Sequence, residues 1–241
     1  MGEGFDTDEL IMPYISSANI ACGVHAGDVQ SIHRTIILAM NHHVAIGAHP
    51  SYPDREGFGR REMNLSPDDI FNVVKAQIET IDTIVKYLGA SLHHIKPHGA
   101  LYNRSAKDYS AASAIAKAVA AVNPNLILYG LSNSESEKAA TDYKLKFYAE
   151  VFADRTYADN GLLTPRSEVN AMIESSKDSL NQILRIINEG ILISTSGKAI
   201  PIKADTICIH GDGEYAVEFA KTINEGLKKS NIKISNGEKN S

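Results

Sequence analysis

The sequence predicts an α/β fold, a mainly parallel sheet covered by helices. Two observations carry this. Short apolar runs and segments with helical spacing alternate from one end of the 241-residue chain to the other. The short runs, such as 18–22 and 126–130, are apolar on both faces, as strands of a covered parallel sheet are. No repeat of fixed period, low-complexity linker or shift in composition divides the chain. Residues 1–241 therefore read as one domain, with a polar and mobile tail over 235–241.

The elements follow in order. The first eight residues are polar and carry Gly2 and Gly4, so they read as loop. Residues 9–14 suit a short helix. Residues 17–22 predict the first strand, ending in Gly23-Val24-His25-Ala26-Gly27-Asp28. Asp28 is a good N-cap for a helix over 29–40, in which Ile32, Ile36, Ala39 and Met40 recur at helical spacing. The second strand, 44–48, ends at His49-Pro50. A polar loop over 51–64 contains Gly57-Phe58-Gly59-Arg60-Arg61.

Ser66, Pro67, Asp68 and Asp69 then open a long helix with a cap, a first-turn proline and acids at the positive dipole end; Gly89 closes it. The third strand, 92–96, is stopped by Pro97, which lacks the ladder donor. A helix over 108–122, a strand over 126–130, a helix over 134–143 and a strand over 146–150 follow. A helix over 176–188 ends at Gly190. Residues 191–193 and 199–202 read as a hairpin about 194–198, and a strand over 206–210 and a helix over 213–229 complete the pattern.

Composition excludes several classes. The net charge is −5, and no Lys/Arg stripe is interleaved with aromatics, so nucleic acid is not the expected partner. No apolar run is long enough to span a bilayer, so no membrane partner is expected. The first ten residues are acidic and show no secretory signal; a cytoplasmic location is the expectation. Cys22 and Cys208 sit singly in apolar runs and read as buried thiols rather than a disulfide or zinc framework.

The functional signal is positional. The centre of the chain is His93-His94-Ile95-Lys96-Pro97-His98-Gly99-Ala100-Leu101-Tyr102, where a strand ends on a cation and an imidazole. Other strands end the same way. One delivers His25 and Asp28, another His49 and Asp54, another Glu150, Asp154 and Arg155, and the last His210 and Asp212. Parallel α/β proteins build their sites at that end of the sheet. Each residue has a plainer alternative: Asp28 as a cap, His49 on a carbonyl, Asp154 and Arg155 as an ion pair. The repetition over five strands favours a site. His33, His42, His43, His93 and His94 are left outside it.

His25, His49, Asp54, His98, Glu150 and His210 are suitable ligand types for a divalent ion, though no HExxH or cysteine cluster is present. A GxxxxGK[ST] phosphate loop and a Gly-x-Ser-x-Gly elbow are also absent. The 57–61 segment suits an anion, held by backbone N–H groups and two guanidiniums, or is a flexible loop with solvated arginines.

These motifs carry a resemblance. Asn19-Ile20-Ala21-Cys22-Gly23-Val24-His25-Ala26-Gly27-Asp28 resembles the signature of the LamB/YcsF family. So do Gly47-Ala48-His49-Pro50-Ser51-Tyr52-Pro53-Asp54, Gly57-Phe58-Gly59-Arg60-Arg61, Lys96-Pro97-His98-Gly99-Ala100-Leu101-Tyr102-Asn103, Glu150-Val151-Phe152-Ala153-Asp154-Arg155 and His210-Gly211-Asp212. The resemblance implies an irregular, seven-stranded (β/α) barrel related to glycoside hydrolases and polysaccharide deacetylases. It implies ATP-dependent opening of the 5-oxoproline lactam to L-glutamate, with Mg²⁺-bound ATP as co-substrate and the companion subunits B and C of a 5-oxoprolinase as partners. Family members open with a strand reading Asp-Leu-Asn-x-Asp ahead of the segment that begins here at Met1. The expected barrel therefore lacks its first strand, with two carboxylates fewer and an exposed edge.

On this basis Lys96, His98, Glu150 and Asp212 are expected to be catalytic. Lys96 and Arg60 or Arg61 would hold the substrate carboxylate or a phosphate, and Glu150 or Asp212 would act as general base. Asn19, Tyr102 and Arg155 are expected with the arginines in substrate or phosphate binding. His25, His49 and His210 are the candidate ligands of a divalent metal in the barrel mouth. Two other classes stay open: a metal-dependent deacetylase or amidohydrolase that needs no ATP, and a non-catalytic binding subunit of a complex.

Overall fold

In a computed structural model that describes residues 1–213 and 215–237, six strands pair side by side and all run parallel. Their order is β1 (Ser17–Ala21), β2 (Ala45–His49), β3 (Leu92–Ile95), β4 (Ile127–Leu131), β5 (Lys146–Phe152) and β8 (Thr206–Cys208). Between the last two lies a separate antiparallel hairpin, β6 (Ile191–Ile193) with β7 (Ala199–Pro201). The main sheet curls into a half-barrel, one strand short of the seven in the expected barrel. The edge strands β1 and β8 both line a single cavity of about 900 Å³.

Helices cover the convex side: α2 (Val29–Asn41), α3 (Pro67–Tyr87), α4 (Gly99–Lys107), α5 (Tyr109–Val122), α6 (Glu135–Asp142), α7 (Ser176–Glu189) and α8 (Ala216–Lys229), with α1 (Asp8–Ile11) beside α8. Their apolar faces make the core. Ile32 and Ile36 of α2, and Ile70, Val74, Ile78 and Ile81 of α3, pack on Ile20, Ile46 and Ile95 of the sheet. Each such side chain contributes roughly 1.5–3 kcal/mol when fully buried. A second cluster joins Val151 and Phe152 of β5 to Ile183 and Ile186 of α7.

The expected boundary chemistry is present. Asp28 accepts a hydrogen bond from Ser31 N at 2.7 Å, and Ser31 Oγ accepts one from Asp28 N at 2.8 Å, a reciprocal cap. Ser66 caps α3 in the same way with Asp69. Gly190 ends α7 at φ 66°, the left-handed region that favours glycine. Both cysteines are buried free thiols.

Several boundaries differ from expectation. Pro13 divides the first helix into α1 and a tight turn over Met12–Tyr14. Helix α4 was not legible because it begins on Gly99 directly after Pro97 and His98, and His98 caps it without a side-chain bond. β8 is three residues long rather than five, and β5 extends two residues further than expected. The last helix starts at Ala216 rather than 213. Of the expected tail, Gly237 packs on Tyr148 so closely that a Cβ there would lie 2.0 Å from the hydroxyl; residues 238–241 lie outside the described residues.

The outer edge of β1 is partly covered. Met1 N donates to Asn19 O, and Ala21 N donates to Met1 O, both at 2.9 Å. Met1 thus occupies one parallel-strand position and brings Glu3 to the C-terminal end of the sheet.

Candidate active site

One buried ion pair forms the floor of the cavity. Lys96 follows β3, fixed by a hydrogen bond from its N–H to Ala48 O. Its Nζ donates to Glu150 Oε1 on β5 and to Cys208 Sγ on β8, each at 2.8 Å. Lys96 is 4% and Glu150 1% exposed. Nζ also stands 4.9 Å from the Phe152 ring centre and 5.7 Å from that of Tyr102. Burial disfavours the ammonium, but Cys208 and Glu150 outweigh it and hold Lys96 above its ordinary value. Burial pushes the Cys208 thiol up to about 12, so it is neutral and Glu150 is the counter-ion. Burial, and then the charge of Glu150, also raises Tyr102 far above its ordinary range, keeping it a phenol. Tyr102 Oη and Glu150 Oε2 have no hydrogen-bond partner of good geometry and are closed to solvent. Both atoms belong to residues that line the cavity.

Beside this pair, three imidazoles and the Glu3 carboxylate form a cluster. His49, at the end of β2, directs Nδ1 at Lys96 O, 2.6 Å away. His98 directs Nε2 at Phe58 O, 2.8 Å away, and its Nδ1 lies 2.9 Å from His49 Nε2. His25 stacks on His98 with ring centres 4.1 Å apart and planes at 8°. Its Nε2 meets Glu3 Oε1 at 3.3 Å. Burial, then neighbouring positive charge, pushes His98 down to about 3 and His49 well below its ordinary value, so both are neutral imidazoles at pH 7. Burial opposes the Glu3 charge, but the Met1 ammonium and His25 outweigh it and hold Glu3 near about 2.

The Gly57–Arg61 segment has a specific part in this. At Gly59, φ is 66°, and a Cβ would lie 2.0 Å from Ser51 Oγ and 3.0 Å from His98 Cδ2. Only glycine lets the loop approach closely enough for Phe58 O to meet His98.

Charged pairs form the rim. His210 Nδ1 meets Asp154 Oδ2 at 2.7 Å, and the imidazole stacks near Phe152. Burial alone would raise Asp154; His210 outweighs it and lowers it. Arg60 donates to Asp212 at 2.5 Å, and both line the cavity. Burial raises Asp212, but Arg60 more than offsets this and keeps it an ionised carboxylate.

A deeper layer crosses the barrel interior. Gly47 pairs with Asn19 on one side and His94 on the other. A Cβ at Gly47 would lie 2.1 Å from His94 Nε2. Without it, His94 reaches over β2 to Asn19 Oδ1 at 2.9 Å, while stacking on Tyr129 at 4.1 Å.

The structure therefore brings Lys96, Glu150 and Tyr102 into one group, and His25, His49 and His98 into another. Asn19, Arg60, Asp212, Arg155 and His210 line the same cavity. It does not bring His25, His49 and His210 to one point as a ligand set. Among the described residues, the acidic and imidazole atoms that converge within 4.8 Å are those of Glu3, His49 and His98. His210 is instead directed at Asp154, and His25 at Glu3.

Arg61 is turned away from the cavity onto Asp54, with Nε 2.8 Å from Oδ1, and Asp54 also accepts from Gly57 N. Arg155 donates to Thr164 O and Ala171 O, tying down the 156–173 excursion. Asp28 is the cap it was expected to be. Sequence reasoning missed Glu3, Cys208, Arg166 and the His94–Asn19 contact. Glu3 and Arg166 sit in loops without periodicity, and Cys208 reads simply as an apolar strand residue. All but His94 line the cavity.

Fold and site together define an α/β half-barrel whose cavity gathers charged side chains from the C-terminal ends of its parallel strands. The chain belongs to the LamB/YcsF family, whose profile matches residues 1–241. It is 46% identical to the A subunit of 5-oxoprolinase from Bacillus cereus, over 97% of this chain and 95% of the relative. It is 47% identical, over the same shares, to the corresponding 5-oxoprolinase chain of Bacillus thuringiensis subsp. konkukian. The crystal structure of the lactam utilization protein from Thermus thermophilus superposes with a TM-score of 0.90 at 39% identity, covering 96% of this chain and 93% of that one.

Proposed function

We propose that this chain is the lactam-opening subunit of an ATP-dependent 5-oxoprolinase, converting 5-oxo-L-proline to L-glutamate with subunits B and C and Mg²⁺-bound ATP. The observation that carries the proposal is the Lys96–Glu150 pair, buried on the floor of a cavity in a chain whose relatives are named for this lactam. A lactam is a stabilised amide. Transfer of the γ-phosphoryl group to its oxygen makes the ring carbon electrophilic. Water then adds, the ring nitrogen leaves with a proton, and an acyl phosphate remains; a second water releases glutamate and inorganic phosphate.

The site has a group for each need. Lys96 supplies a fixed positive charge, with Tyr102 beside it, for the developing charge on oxygen. His210, oriented by Asp154, is placed to take the proton of water and return one to the leaving nitrogen. Asp212 is less suited to that role because its charge is held by Arg60. The Arg60 guanidinium, with Arg166 nearby on the rim, suits the substrate carboxylate.

The test is glutamate release from 5-oxoproline by the purified chain, with and without Mg-ATP and with and without subunits B and C. Turnover that requires nucleotide and partners supports the reading. Turnover without nucleotide would replace it with a simple amidohydrolase, and binding without turnover under every condition with a binding subunit.

A further inference from the structure

The hydrogen bonds around His49 and His98 leave two ring lone pairs facing each other. A carbonyl oxygen only accepts. His49 Nδ1, 2.6 Å from Lys96 O, therefore carries the proton of that ring, and His98 Nε2, 2.8 Å from Phe58 O, carries that of the other. The remaining nitrogens, His49 Nε2 and His98 Nδ1, are both acceptors, and they stand 2.9 Å apart. Two neutral acceptors have no attraction at that distance; a cation between them would satisfy both. The Glu3 carboxylate closes the third side, with its oxygen and the two nitrogens all within 4.8 Å of one another. Imidazoles whose far N–H is fixed by a backbone carbonyl are oriented as metal ligands are, with tautomer and ring plane already set. His25 supplies the same support to Glu3, with Nε2 3.3 Å from Oε1.

The geometry points to a divalent transition-metal site formed by Glu3 Oε1 or Oε2, His49 Nε2 and His98 Nδ1. Two imidazoles and one carboxylate suit Zn²⁺ or Co²⁺ rather than Mg²⁺, which takes oxygen ligands. Nitrogens ~2.0–2.1 Å from a tetrahedral zinc stand roughly 3.3 Å apart, so the rings need separate by only a few tenths of an ångström. Three protein ligands leave a fourth position open toward the cavity, as in catalytic rather than structural zinc sites.

The test is made on the whole chain, without a histidine tag, stripped with chelator and dialysed. Zn²⁺ and Co²⁺ are titrated by calorimetry, and the visible absorption of Co²⁺ reports its coordination. One equivalent should bind, with the intense bands of a four- or five-coordinate nitrogen–oxygen site. His98→Gln should abolish the bands. Glu3→Gln, at the less buried edge and folded by circular dichroism, should weaken binding at least as much as loss of a supporting partner does, roughly 10–100-fold. His33→Gln, on the outer face of α2, should bind as the parent does. Absence of binding by the folded parent would overturn the site, and so would unchanged affinity in Glu3→Gln and His98→Gln.

Discussion

Lys96 and Glu150 come from strands separated by a third, yet their side chains meet at 2.8 Å with almost no solvent access. A pair so placed is a weak source of net stability, but breaking it leaves an uncompensated buried charge. Lys96→Ala and Glu150→Ala should each cost roughly 3–5 kcal/mol, lowering Tm by about 6–20 °C for a chain of this size. Lys96→Met with Glu150→Leu should recover most of that loss while glutamate release stays absent. A calorimetric scan of the three variants checks this; full turnover in the double variant would remove the pair from the mechanism.

Asp154 bonds His210, which lines the cavity, and does not line it itself. His210→Ala should lower kcat by about 10²–10⁴-fold, the usual contribution of a general acid–base group. Asp154→Asn keeps the shape but loses the charge and favours the wrong tautomer, so kcat should fall with KM changed less than about threefold. A rise in KM with kcat preserved would show that the Asp154–His210 pair binds substrate instead of moving protons.

Acid should weaken the metal-free fold from near neutral pH downward. His98 titrates at about 3 in the folded chain, chiefly because it is buried, and near ~6.5 when unfolded. Between those values the unfolded chain binds the extra proton, so stability falls as pH falls. Glu3, near about 2, and Asp154, which His210 holds down against the effect of burial, add a loss of the same sign below pH ~4. Urea midpoints at pH 7.5, 6, 5 and 4, in chelator, should decline steadily, with a shallower slope for His98→Gln between pH 6.5 and 4. Equal slopes would contradict the assignment.

Gly47 is a test of the interior layer. A methyl group there would enter the His94 ring space, 2.1 Å from Nε2. Gly47→Ala should cost about 1–3 kcal/mol through overpacking and detach His94 from Asn19. His94→Ala combined with Gly47→Ala should be less destabilised than the sum of the two changes. Additive losses, measured by chemical denaturation, would refute the steric account.

Much of the molecule is a local matter and was legible in residue order. Asp28, Ser66 and Gly190 mark helix ends through short-range capping and a left-handed turn, and these signals act within four residues. The alternation of buried strands and amphipathic helices dictates a parallel sheet, and a parallel sheet places His25, His49, Lys96, Asp154 and His210 at one end. What residue order left open was pairing. Whether Arg60 or Arg61 enters the cavity, and whether His210 joins His49 or Asp154, depends on side chains far apart in sequence meeting across a curled sheet. The tertiary structure decided those partners, because an ion pair or a shared ligand position is set by angstrom-scale proximity that sequence periodicity does not encode. Glu3 shows this most directly. It is an unpatterned loop residue until Met1, bonded to the edge of β1, carries it to the imidazoles.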